Sequence, residues 1–174
     1  MTPATRPSIR PETPADFAEI HALVKTAFET AKVSNGDEQN FVDRLRAGPT
    51  YSAELALVAV EDGEIVGHVM LTTTAIDTAT GPRPLLLLAP LAVVLARRSR
   101  GVGRALVEEV TARACTLGHD AVVLVGDPAY YGRFGFRSSA DFGVGNTNGI
   151  PDVHVQLLEL VPGALEGVTG TLTF

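Results

Sequence analysis

Four arginines, Arg97, Arg98, Arg100 and Arg104, fall within eight positions of this sequence with no acidic residue among them, and Gly101 and Gly103 lie in the same stretch. Residue types of this kind suit anion binding. Glycines let an anion come close to the backbone, and arginines add charge-assisted hydrogen bonds. From Leu91 to Leu106 a strand ends, a loop turns and a helix begins, so the unpaired N–H groups of the first helical turn point into the loop. Phosphate is the natural ligand for that geometry. Arginines alone would read as a solvated basic turn; the glycines beside them favour a site. The spacing also excludes two common phosphate loops. No G-x-x-x-x-G-K-[ST] occurs, and Leu106 stands where the dinucleotide fingerprint G-x-G-x-x-[G/A] needs a small residue.

The elements that must position this loop follow from pattern. Ser8 to Arg10 is a short strand. Thr13-Pro14-Ala15-Asp16 starts a helix, with Thr13 as cap, Pro14 at the first position and Asp16 near the positive end of the dipole. Phe17, Ile20, Val24, Ala27 and Phe28 supply its inward face until Ser34-Asn35-Gly36 breaks it, and a shorter helix runs from Glu38 to Ala47. Leu55–Val60 and Ile65–Leu71 are β-branched runs around Asp62-Gly63, a hairpin signal. Thr80 to Pro84 reads as a turn, and Leu85–Val94 as a central strand in which Pro90 marks a bulge or a point where pairing fails on one side, with a gap in the sheet near residues 89 to 93. After the loop comes a helix ending at Gly118, then a strand at Ala121–Val125, an order that implies a right-handed crossover and a parallel strand pair. Asp127-Pro128 caps a short helix to Phe134, and strands follow at Val153–Leu160 and Gly170–Phe174.

The chain has 174 residues, 45% hydrophobic and 20% charged, enough for a full core, and residues 1–174 read as one domain. No apolar run approaches a membrane span, and Met1 to Arg10 is polar and unlike a signal peptide, so a cytoplasmic protein with no membrane partner is expected. The net charge of -6 argues against nucleic acid as a partner and leaves room for a cationic substrate. Cys115 is the single cysteine and reads as a packing residue; no metal is expected.

Two segments resemble a known family. Arg98-x-x-Gly101-x-Gly103 is similar to the acyl-CoA signature [Arg/Gln]-x-x-Gly-x-[Gly/Ala] of the Gcn5-related N-acetyltransferase (GNAT) superfamily. Just after the 121–125 strand, Tyr130-Tyr131-Gly132-Arg133-Phe134-Gly135-Phe136 resembles that family's aromatic-Tyr-x-x-x-Gly-Phe motif. The resemblance covers nearly the whole chain and looks closest to the YhbS-like group, from Leu88-Ala89-Pro90-Leu91-Ala92-Val93 through Gly126-Asp127-Pro128-Ala129-Tyr130-Tyr131 to Leu160-Val161-Pro162-Gly163-Ala164-Leu165.

The resemblance implies an α/β fold of α+β type: a mixed, mostly antiparallel sheet with a splayed parallel strand pair and helices on both faces. It implies acetyl-CoA as cosubstrate, with pantetheine beside Leu91, Ala92 and Val93 and the pyrophosphate on Arg98, Ser99, Arg100, Gly101, Val102, Gly103 and Arg104. Attack by a primary amine of a small molecule, peptide or protein would follow, with Tyr131 as proton donor to the departing sulfur and Tyr130 as its packing neighbour. The general base is left unassigned among Glu38, Glu54, His68 and water. Leu95-Ala96 replaces the frequent Pro-Glu, and Asp127 stands where many members carry Asn. A non-catalytic acyl-CoA-binding regulatory module is the first rival, weakened by Tyr131. An NADP-dependent oxidoreductase is the second, weakened by Leu106 and by a hairpin ahead of the loop. The acceptor and homodimerisation are left open.

Overall fold

The computed structural model describes residues 6–32 and 34–174; of the polar N-terminal stretch, Met1–Thr5 lie outside them. The chain forms two compact units. One holds the described residues of Met1–Thr72 with Ala89–Arg113, the other Thr73–Leu88 with Ala114–Phe174.

In the first unit β1 (Ser8–Pro11) pairs antiparallel with β2 (Ala56–Glu61), and β2 with β3 (Glu64–Thr78). Asp62 and Gly63, at φ 51° and 83°, make the tight turn of the second pair. After Thr13, a 3-10 turn at Pro14–Asp16 leads into α1 (Phe17–Phe28), and α2 (Glu38–Ala47) follows. Ile20, Leu23, Val24 and Ala27 recur at helical spacing and pack with Val42 of α2 against Ala56, Val58, Met70 and Ala92 of the strands. The far end of β4 (Gly81–Val93) and most of α3 (Val102–Thr116) complete the unit. Gly67 explains how closely α3 approaches β3. A Cβ there would meet Leu106 at 2.8 Å and Val102 at 3.0 Å, so the bare backbone is what lets the first turn of α3 lie on the strand.

In the second unit β4 pairs in parallel with β5 (Ala121–Val125) at Leu86↔Val122 and Leu87↔Val123. β5 pairs antiparallel with β8 (Val155–Glu159), which also pairs with β6 (Arg137–Ser138). β7 (Val144–Asn146) runs parallel to β9 (Gly170–Leu172), and β9 antiparallel to β3. Ile76, Leu85, Val123, Val155, Leu157 and Leu172 form the core of this unit. The pairing is mixed and mostly antiparallel, as expected for the fold class.

Three local expectations are corrected, and one is met. Thr80–Pro84 is not a turn: β3 and β4 extend to Thr78 and from Gly81. Pro82 and Pro84 alternate, so both missing N–H groups fall on one edge of the strand, while Arg83 between them pairs with Asp120 at 2.9 Å. The expected failure of pairing on one side near Pro90 is seen: β4 continues through it to Val93 with a cis Ala89–Pro90 peptide, while its pairs with β5 end at Leu87↔Val123. β6 and β7, two and three residues long, are too short for a periodic signal, and β7–β9 adds a second parallel pair. Cys115 is exposed, because its neighbour Ala114 takes the buried position on α3.

Candidate active site

The loop before α3 has the geometry expected of it. A 3-10 turn at Leu95–Arg97 ends β4, then Ser99 and Gly101 adopt left-handed backbone at φ 59° and 85°. Gly101 faces open space where a Cβ would be, so its conformation rather than crowding requires glycine there. The first bond of the α3 ladder runs from Ala105 N–H to the Gly101 carbonyl at 2.9 Å, which leaves the N–H groups of Val102, Gly103 and Arg104 ahead of the ladder. An anion placed there meets fixed donors and the positive end of a 15-residue helix.

The arginines divide differently from their sequence grouping. Arg97 Nε pairs with Glu61 at 2.8 Å, and Arg104 Nε with Glu108 one turn on at 2.7 Å. Arg98 turns back to α1: Nη2 donates to the Ala27 carbonyl at 2.7 Å, Nη1 to Thr30 Oγ1 at 3.0 Å and Nε to the Val93 carbonyl at 3.3 Å. It ties the end of α1 to the end of β4. Among the described residues the Arg100 side chain makes no hydrogen bond or ion pair.

In the second unit Asp127 caps α4 (Pro128–Tyr131), accepting from Ala129 N–H at 2.9 Å, and so has a structural role. Tyr131 packs edge-on to Tyr130 at 4.9 Å and Phe136 at 5.9 Å. Burial pushes its phenol well above the usual tyrosine range, and Tyr130 adds to the shift, so Tyr131 keeps its proton. Tyr130 carries Arg133 over its ring at 4.7 Å. Gly126, directly before the cap, is a residue whose role the sequence did not disclose. A Cβ on it would strike the Tyr131 ring at 2.5 Å.

The three candidate bases separate. Glu38 Oε1 accepts from Asn35 N–H at 3.0 Å and closes the turn before α2. Burial raises its pKa, yet bonds from Ser34 and the backbone outweigh this and lower it, which makes it a weak base. Glu54 is exposed on a 3-10 turn. His68 is fully buried on β3, and its Nε2 lies 2.9 Å from Oε2 of Glu12. Glu12, Arg46 and Tyr51, which join it, were not visible as a group, since 34 to 56 residues separate the partners.

Taken unit by unit, these features define a class: a protein with backbone amides set to receive an anion and a phenol held in its protonated form. Comparison with known proteins narrows the class to a family. Residues 8–138 match the family model described as an acetyltransferase (GNAT) domain. Over 167 residues the chain is 34% identical to the uncharacterized N-acetyltransferase YhbS of Escherichia coli (strain K12), covering 95% of each. A crystal structure of E. coli YhbS in complex with CoA superposes with a TM-score of 0.87, covering 100% of this chain and 92% of that one. A GNAT family acetyltransferase from Brucella melitensis in complex with acetyl-CoA, 33% identical, gives 0.74 over 90% of this chain and 89% of its own. The chain belongs to the GNAT acetyltransferase family. Among the described residues no His, Cys, Asp or Glu cluster suits a metal ion, and no helix is long and apolar enough to cross a membrane.

Proposed function

We propose that this protein moves the acetyl group of acetyl-CoA to a primary amine by direct attack on the thioester, acting as one acetyltransferase domain in the cytoplasm. The observation that carries the reading is the α3 N-terminus: three N–H groups ahead of the helical ladder, behind a turn shaped by Ser99 and Gly101. The CoA and acetyl-CoA bound in the two similar structures supply the identity of the phosphate ligand.

In this reading the pyrophosphate rests on residues 98 to 104, with direct contact from the backbone and Arg100, while Arg98 positions the loop. Pantetheine lies along Leu91, Ala92 and Val93, where a backbone N–H polarises the thioester carbonyl as it becomes an oxyanion. Tyr131 gives its proton to the departing CoA sulfur. Burial keeps the phenol protonated but also makes it a weaker acid, so the support for this role is the position of Tyr131 in the family motif rather than its pKa. The net charge of -6 favours a cationic acceptor.

Free-thiol release from acetyl-CoA against a panel of amines and peptides tests the activity, with thermal shifts in acetyl-CoA, CoA and NADP alongside. A ligand at 100 times its dissociation constant stabilises by about 2.7 kcal/mol. Stabilisation by NADP and not by CoA would overturn the reading. Tyr131→Phe is expected to bind acetyl-CoA normally and turn over roughly 10²- to 10⁴-fold more slowly; unchanged turnover removes Tyr131 from the mechanism.

A further inference from the structure

The first unit buries a group of titratable side chains that neither the phosphate loop nor Tyr131 uses. The Glu12 carboxylate, fully buried, accepts from Arg46 Nε at 2.8 Å and Nη2 at 3.1 Å, and from the Tyr51 hydroxyl at 2.9 Å. His68 Nε2 approaches it at 2.9 Å. Burial pushes the Glu12 pKa up, but the bonds and charges of His68 and Arg46 prevail and hold it at about 2. Arg46 also pairs with Asp43 at 2.9 Å, and Asp43 with His21 at 2.7 Å, so the group extends to the surface of α1 and α2.

An ionised carboxylate only accepts hydrogen bonds, so the hydrogen between Glu12 and His68 sits on Nε2. In its neutral form an imidazole bonded in this way carries its lone pair on Nδ1. That atom is buried and has no hydrogen-bond partner among the described residues. A carboxylate fixing one ring nitrogen while the other presents a lone pair is the pairing of an oriented basic histidine.

The strand order places this base beside the thioester segment. Val94 N–H donates to the Val66 carbonyl at 2.9 Å and β4 neighbours β3 in the sheet, so the stretch of β3 that carries His68 runs beside the end of β4 that carries Ala92. The 3.3 Å from a Cβ on Gly67 to the Ala92 carbonyl oxygen agrees with that placement. Met70, two residues from His68, Val58, its partner on β2, and Ala92 all pack in one cluster, so the imidazole lies on the face that Ala92 occupies.

We propose that the Glu12–His68 pair takes the proton of the attacking ammonium group through a bridging water. The proposal rests on the acetyl-transfer reading above. The ammonium loses one proton through the water to Nδ1, and Glu12 stabilises the resulting imidazolium. The freed nitrogen lone pair forms the C–N bond at the thioester carbonyl. The C–S bond then breaks, with its electron pair leaving on sulfur. Of the two protons lost by nitrogen, one ends on the sulfur by way of Tyr131 and the other returns from His68 to solvent, giving amide and CoA thiol.

The test compares thiol release by wild type and His68→Gln, whose amide keeps a donor for Glu12, with two probes: an aliphatic primary amine, protonated at neutral pH, and hydroxylamine, largely unprotonated there. Expected is a loss of about 10²- to 10⁴-fold with the aliphatic amine and little change with hydroxylamine, which needs no base. Equal losses with both, or no loss with the amine, would overturn the proposal. No release by wild type with either probe would sink the acetyl-transfer reading itself, and the base with it. Long-range 1H–15N spectra of labelled wild-type protein need no folded variant: the expected His68 signal is the Nε2–H tautomer with bare Nδ1, and a proton on Nδ1 at neutral pH refutes the assignment.

Discussion

Gly126 decides where the Tyr131 ring sits, and replacing it tests whether that placement matters to turnover. A Cβ at Gly126 would stand 2.5 Å from Cε2 and 2.9 Å from Cδ2 of the ring, and 3.2 Å from Leu124 Cδ1. Carbon atoms in contact settle at about 3.5–4.0 Å, so Gly126→Ala demands a displacement of about 1 Å. The backbone is poorly placed to yield. Gly126 N–H donates to the His154 carbonyl at 2.9 Å, and the Gly126 carbonyl accepts from buried Gln156 Nε2 at 3.1 Å and lies 3.3 Å from His154 Nδ1. The ring must tilt instead, against Tyr130 and Phe136, and its hydroxyl moves with it. A misplacement of about 1 Å costs about 10²-fold in rate. The overpacking costs about 1–3 kcal/mol of stability, and each kcal/mol lowers Tm by roughly 2–4 °C in a chain of this size. Steady-state thiol release should show kcat falling about 10²-fold with the acetyl-CoA dissociation constant unchanged, since the proposed phosphate contacts lie on other residues. In a Tyr131→Phe background the same alanine should add no further loss of kcat, because both changes act on one group. An equal loss in that background, or full kcat in Gly126→Ala alone, refutes the reasoning.

Arg98→Ala should lower the Tm of the ligand-free protein by about 2–4 °C, from about 1 kcal/mol for the cation bonded to the end of α1; an unchanged Tm with lost CoA binding, by calorimetry, would make Arg98 a direct phosphate ligand. Glu12, held at about 2 from an ordinary value of 4.5, contributes about 3 kcal/mol that is fully present above pH 4.5 and lost as pH falls through 2. Urea unfolding of wild type and Glu12→Gln should therefore converge between pH 5 and 2; a constant difference across that range would show that the Glu12 charge is not what stabilises.

The first half of the fold was legible because its signals are local. Thr13-Pro14 announces α1, Asp62-Gly63 the hairpin, and the apolar residues between Glu38 and Ala47 repeat at helical spacing, so α2 falls on the expected residues. The second half hides short pieces. Arg137–Ser138 and Val144–Asn146 owe their strand form to β8 and β9, partners distant in sequence. The loop and Tyr131 were legible for the same local reason: each motif sits within seven residues. What positions them was not. Gly67 and Gly126 are single glycines whose requirement comes from a helix turn and a ring that the fold delivers. Glu12 looks like an ordinary polar residue ahead of a helix cap until Arg46, Tyr51 and His68 close around it.

The arginine partners also change which forces select the ligand. A loop with four free guanidinium groups would bind any anion by charge, and salt would weaken it throughout. Here Arg97 and Arg98 are committed to Glu61 and to the end of α1, and Arg104 shares its charge with Glu108 on the exposed surface of α3. Exchanging that surface pair for a phosphate is cheap, whereas freeing Arg98 would uncap α1 and release the end of β4. In the proposed reading the anion therefore meets mainly amides whose directions Ser99 and Gly101 have already set, with Arg100 and the helix dipole supplying the charge. Donors fixed before the ligand arrives need no reorganisation on binding, which favours a phosphate of matching shape over one that is merely negative.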